Sequence, residues 1–159
     1  MMRVGIFRCL LLSGITLVFT CRLPGQVAIS EFMATGNAVI ADEDGDYPDW
    51  VEIHNGGTNA VNLNGWFLTD NDGQLTKWRF PSAILAANSN LIVFASGKDR
   101  TTPRLHANFS LDADGEYLAL VMPDGVTIVS QFTPEFPQQY SGYSYGVFQG
   151  TNYYFSTPS

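Results

Sequence analysis

Five acids fall within the eight residues Asp42-Glu43-Asp44-Gly45-Asp46-Tyr47-Pro48-Asp49, the densest run of chemistry-bearing side chains in the sequence. Ca2+ is bound by about six to eight oxygens drawn from carboxylates, carbonyls and water in flexible loops, and Asp42, Asp44, Asp46 and Asp49 are the residues that could supply such oxygens here. The spacing is not that of an EF-hand. Counted from Asp42, glycine comes two residues too early, and Ile53 stands where the closing glutamate belongs. The competing reading is a solvated acidic turn whose Asp side chains accept hydrogen bonds from their own backbone. Under either reading, so many like charges at short range call for a counter-charge.

Other combinations carry less chemistry. Asp70-Asn71-Asp72-Gly73 and Asp112-Ala113-Asp114-Gly115-Glu116 are explained as turns by their Asp/Asn-Gly content. His54 and His106 each stand alone, with no second ligand at the spacing a transition-metal site uses. No serine lies in a nucleophile elbow, and no glycine-rich phosphate loop is present. Lys98-Asp99-Arg100, with Arg104 nearby, is the one basic cluster and reads as a solvated loop rather than an anion site. The expectation is therefore no catalytic residue and no cofactor, with Ca2+ at the acidic run the single exception to test.

The elements that would position these residues are short strands. Apolar or β-branched stretches run over 27–33, 50–54, 61–63, 66–69, 76–80, 91–95, 116–122, 126–132 and 143–148. Between them stand Asn55-Gly56-Gly57, Asn64-Gly65, Asp72-Gly73, Ser96-Gly97 and Pro123-Asp124-Gly125, which suit tight turns. No window sustains a helical apolar stripe. The pattern predicts an all-β sandwich, two sheets packed over one core. Val51 and Ile53 share one face of their strand, with Glu52 and His54 on the other; Ile29 likewise alternates with Ser30 and Glu31. Residues 91–95 and 117–121 are apolar on both faces and read as central strands. The expected core comprises Trp50, Val51, Ile53, Trp66, Trp78, Phe94, Leu118 and Leu120, each tryptophan anchoring the space between the sheets.

The ends differ from the middle. Arg3 and Arg8 flank the start of a 12-residue apolar run, Cys9 to Thr20, too short for a membrane span, so residues 1–26 read as an export signal cleaved between Cys21 and Val27. Thr20 and Phe19 before Cys21 make a poor lipid-attachment motif. The whole chain carries 8 basic and 15 acidic side chains, a charge of −7. Losing residues 1–26 removes Arg3, Arg8 and Arg22 and no acid, leaving 5 basic against 15 acidic side chains, a charge of −10. Both cysteines leave with the signal. That acid excess argues against a nucleic-acid partner, and no later segment is apolar for long enough to span a membrane. A sandwich domain is expected over 27–150, and 151–159, rich in Tyr, Ser and Pro, as the start of a linker in a truncated, longer protein.

One ordered string of motifs joins these readings: Ile29-Ser30-Glu31-Phe32-Met33, Asp49 to Asn55 (DWVEIHN), Val61 to Asp70 (VNLNGWFLTD), Trp78-Arg79-Phe80-Pro81, Val93 to Gly97 (VFASG), Leu105 to Leu111 (LHANFSL) and Gly115 to Leu120 (GEYLAL). In this order they resemble the lamin tail domain in its bacterial, exported form. The resemblance implies an immunoglobulin-like β-sandwich, and a binding or attachment module on a secreted or cell-surface protein, with no catalytic residues to carry over. In bacteria such domains sit beside spore-coat-type kinases, nucleases, phosphatases or adhesive repeats. Three functions follow as expectations: an attachment module with a protein or envelope-polymer partner, an accessory domain of an exported enzyme whose catalytic part lies beyond Ser159, and a calcium-stabilised adhesin.

Overall fold

The computed structural model describes residues 27–35 and 39–158. The expected signal segment and Cys21 lie outside the described residues. Twelve strands follow in chain order: β1 (Val27–Met33), β2 (Asp49–Asn55), β3 (Val61–Asn62), β4 (Phe67–Thr69), β5 (Trp78–Arg79), β6 (Ile84–Leu85), β7 (Ser89–Ala95), β8 (Leu105–His106), β9 (Leu118–Val121), β10 (Ile128–Phe132), β11 (Ser144–Phe148) and β12 (Thr151–Phe155). A six-stranded sheet in the order β12-β11-β1-β2-β7-β8 faces a four-stranded sheet in the order β10-β9-β4-β5, with β3 and β6 paired apart. Every pairing is antiparallel except β7 with β8. This is an immunoglobulin-like β-sandwich, with no helix among the described residues.

Alternation along the strands builds the core. Ile29, Phe32, Val51, Ile53 and Val93 point from the large sheet towards Leu68, Trp78, Leu118, Leu120 and Phe132 of the small one. Phe32 is the hub, its ring edge-on to Phe132 at 5.0 Å and tilted against Phe136 at 4.6 Å. Trp66 and Trp78 belong to this layer. Trp50 and Phe94 do not, contrary to the expectation for anchors between the sheets. They are buried with Met33 on the opposite face of the large sheet, because Trp50 and Phe94 alternate out of phase with Val51 and Val93 on paired strands.

One register fault shapes the large sheet. Between β1 and β2 the pairing steps from Ile29–Ile53 to Glu31–Glu52, so Ser30 is a bulge. The bulge presses the Ser30 carbonyl towards β11, where a Cβ added at Gly146 would lie 2.2 Å from that oxygen. Only glycine lets β11 close against β1 at that point.

Two expectations about elements are corrected. Residues 91–95 are not central: β7 has on its far side only the two-residue β8, which pairs with Val93 and Phe94 and leaves Leu91 and Ile92 half-buried. The central strands are β1 and β2. Residues 151–155, expected as the start of a linker, form β12 instead, paired along its length with β11. The two residues between them, Gln149 and Gly150, have φ of 50° and 82°. That is the pair of left-handed residues a tight two-residue hairpin requires.

Candidate functional site

The acidic run forms a closed loop over the outer face of the large sheet. Asp42 organises it. Its Oδ1 accepts hydrogen bonds from the amides of Asp44 and Asp46 at 2.9 and 3.0 Å, its own amide donates to the Asp46 carbonyl at 2.8 Å, and Gly45 supplies a φ of 82° for the turn. The remaining carboxylates converge on one cation. Lys98 Nζ, from the loop after β7, lies 2.5 Å from Asp42 Oδ2 and 2.8 Å from both Asp44 Oδ2 and Asp46 Oδ2. Arg100 bonds Asp44 and pairs with Glu43 at 3.0 Å. Arg104 donates to the Ala41 carbonyl at 2.8 Å while its guanidinium lies 4.4 Å above the Phe94 ring. His106, fully buried and stacked on Phe94, places Nε2 3.1 Å from Glu43 Oε2 and Nδ1 2.9 Å from Ser96 Oγ.

The electrostatics follow from this convergence. Hydrogen bonds from Arg100 and then Lys98 hold the Asp44 carboxyl down at about 2. For Asp42, burial opposes ionisation, but the bonds from Lys98 and the two loop amides outweigh it and its pKa lies below the ordinary value. The same carboxylates, Asp42 foremost, raise the pKa of Lys98. The basic cluster expected as a solvated loop is thus the counter-charge of the acidic run.

The Ca2+ candidates divide accordingly. Asp42, Asp44 and Asp46 present carboxylate oxygens within 4.8 Å of one another and are the residues that could hold a metal ion. Asp49 is not with them; its Oδ2 accepts the Leu111 amide at 3.1 Å. Lys98 Nζ already sits among the three, so an added cation would have to displace an ammonium that makes three charge-assisted bonds.

A second polar set, on the same sheet face, was not legible from alternation. Glu52, placed on the solvated side by alternation, and Glu31, turned to the same face by the Ser30 bulge, are register partners on the two central strands and both are buried. Glu31 accepts from Ser144 Oγ; Glu52 accepts from Ser30 Oγ at 2.5 Å and Asn90 Nδ2 at 2.9 Å, and Asn90 Oδ1 meets His54 Nδ1 at 2.5 Å. Burial raises the Glu52 pKa, and the neighbouring Glu31 charge adds to the rise. The group is a pair of carboxyls whose oxygens accept from hydroxyl and amide donors. A signal existed in the sequence: two glutamates flanked by Ser30, His54 and Asn90 on strands whose inward residues are wholly apolar.

The third feature is a surface. Residues 136–159 contain no charged side chain. Within them Tyr140, Tyr143, Phe148, Tyr153 and Tyr154 stand 40–56% exposed. Phe148 and Tyr153 meet edge-on across the β11–β12 hairpin, and on its other face Tyr154 packs 4.9 Å from Tyr145 and 5.5 Å from Tyr140.

The family described as Lamin Tail Domain matches residues 22–135, more than two-thirds of the chain. The chain belongs to the lamin tail domain family. No curated protein matches the sequence. A lamin tail domain is a non-catalytic, immunoglobulin-like fold; this one brings together an ion cluster, a hydrogen-bonded carboxyl pair and an aromatic surface. No described helix of this lamin tail domain is long and apolar enough to cross a membrane. The family match ends at Glu135, so the aromatic hairpin lies outside the matched stretch.

Proposed function

We propose that this lamin tail domain is the attachment module of an exported, larger protein, and that it grips a protein or envelope-polymer partner through the β11–β12 hairpin. The observation that carries the reading is the charge-free surface of exposed aromatics on a domain that is otherwise strongly acidic. Exposed apolar patches rimmed by polar groups mark interaction sites, and aromatic side chains give large contact areas at small cost in conformational entropy. The basic start and short apolar run of residues 1–26 support export. The acidic loop serves the module by fixing its geometry, with Lys98 as its cation.

The test is expression of the full chain in a bacterial host, followed by fractionation and mass spectrometry of the N-terminus. The expected result is removal of a segment ending between Cys21 and Val27, and retention on the cell envelope that Phe148→Ser with Tyr153→Ser releases into the medium. An unprocessed chain in the cytoplasm, or retention unchanged by the two substitutions, overturns the reading. The coding sequence past Ser159 distinguishes an array of further sandwiches from an exported enzyme that carries this module as an accessory domain.

A further inference from the structure

Sheet edges are where two β-proteins join most readily, because an outer strand leaves a row of backbone N–H and C=O groups without partners. Among the described residues, three of the four outer strands of the two larger sheets are closed to this. β5 and β8 are two residues long. β10 is bulged between Ile128 and Ser130 and turned onto β1, whose Ile29 amide donates to Ser130 Oγ at 3.1 Å. β12 is different. Its five residues, Thr151-Asn152-Tyr153-Tyr154-Phe155, pair in unbroken register with β11 on one side and are exposed from Thr151 through Tyr154. It carries none of the usual protections of an edge, having no lysine, proline or acid and no bulge.

Resting on the reading of this hairpin as the attachment surface, we propose that β12 pairs antiparallel with β12 of a second copy of this chain, joining the two large sheets into one across a two-fold axis. Charge selects the occupant. The chain has a formal charge of −7 with 15 acids, so most approaches of one copy to another set carboxylates against carboxylates; the 24 residues from 136 to 159 are free of charge and avoid this. The strand is also compatible with itself. A two-fold axis through Tyr153 sets Tyr153 against its own copy, Thr151 against Phe155 and Asn152 against Tyr154, pairs of aromatic with β-branched or polar side chains that suit a strand pairing. On the outer face the Phe148–Tyr153 contact of one copy then continues into that of the other.

Sedimentation velocity on the full chain over roughly 1 µM to 1 mM tests this, covering the range of weak, small interfaces. The expected result is a monomer–dimer equilibrium whose Kd rises at least about tenfold in Tyr153→Lys, which sets two ammonium groups against each other on the axis. Val126→Lys, at a 70% exposed position in the β9–β10 turn, leaves the Kd unchanged. Should Tyr153→Lys fail to fold, amide hydrogen exchange on the unaltered chain replaces it: the amides of Asn152 and Tyr154, which face away from β11, gain protection as concentration rises. A chain monomeric throughout the range overturns the pairing, as does dimerisation equal in Tyr153→Lys or protection of β12 already complete in the dilute monomer. A monomer retained by an insoluble neutral glycan, with retention lost in Tyr153→Lys, assigns the surface to a polymer; that result overturns the pairing and leaves the attachment reading standing.

Discussion

Lys98 does for the acidic loop what a bound metal ion does elsewhere: it gathers three carboxylates that would otherwise repel one another. Its replacement tests that equivalence. In Lys98→Met the Asp42 carboxylate, whose side chain is wholly buried, loses its ion pair, and the loop is left with Arg100 as its nearest counter-charge. The expected outcome is a lower Tm for the variant in EDTA, and a Tm rise on adding millimolar Ca2+ that is larger than in the unaltered chain, because Asp42, Asp44 and Asp46 are then free to take a divalent ion. Thermal denaturation of both proteins with and without Ca2+ checks this. Equal responses would show that Lys98 does not compete for the site. Asp49→Asn leaves the Ca2+ response of the variant unchanged, since Asp49 is engaged with the Leu111 amide and not with the loop. Phe32→Ala probes the other kind of residue in the fold, an apolar hub of three aromatic contacts. A loss of about 3–5 kcal/mol in urea denaturation is expected for truncating a fully buried phenylalanine.

The bulge at Ser30 and the glycine at 146 form one device shared by two strands, and neither makes sense alone. In Gly146→Ala the added methyl meets the Ser30 carbonyl and the Glu31 backbone, atoms that cannot rotate away, so β11 must move off β1. The expected cost is about 2–3 kcal/mol or more, read as a fall in the urea midpoint. Gly150→Ala, whose added methyl meets open space, suffers only the backbone strain of its positive φ and costs less. The same strands show which parts of the fold were legible in the sequence. All nine stretches picked out by alternation and turn residues correspond to strands, because a run of β-branched and aromatic residues between Asn-Gly, Asp-Gly or Pro-Asp-Gly turns is a local signal. The three strands not picked out are β6 and β8, of two residues each, and β12, reached through a Gln-Gly turn instead of Asn-Gly and lying in a stretch whose Ser and Pro suggested a linker. The site was legible in composition and not in partnership. The acids of 42–49 stood out at once, but their cations lie more than fifty residues away, and only the parallel pairing of β8 with β7 carries His106, with Arg104 just before it, back to the loop. Burial of Glu31 and Glu52 likewise depends on β7 and β11 covering them from the two sides.

Across the whole molecule the ionisable groups oppose one another, and pH reveals the balance. Asp44, held at about 2 by Arg100 and Lys98, is lowered from its ordinary 3.8. A depressed acid contributes stability that is complete above the unfolded value and is lost as pH falls through the folded one, so the loop weakens between 3.8 and about 2. Two glutamates, Glu52 buried and Glu116 half-buried, act in the other direction. Burial raises Glu52 in the large sheet, and raises Glu116, near the carboxylates of Asp70 and Asp112, from 4.5 to about 7. A raised acid keeps in the folded state a proton that the unfolded chain releases, so its contribution is complete below 4.5 and is lost as pH climbs towards about 7. Self-repulsion in a chain of formal charge −7 grows over the same interval. Stability is therefore expected to peak at about pH 4 to 5, on the acid side of the range common for soluble domains. Scanning calorimetry from pH 2.5 to 8 should show a Tm falling on both sides of that peak. Each limb has its own variant: Glu52→Gln with Glu116→Gln flattens the neutral limb and leaves the acid one, while Asp44→Asn flattens the acid limb alone. A single maximum at neutral pH, unmoved by the glutamate substitutions, would mean that Glu52 and Glu116 ionise at their ordinary values.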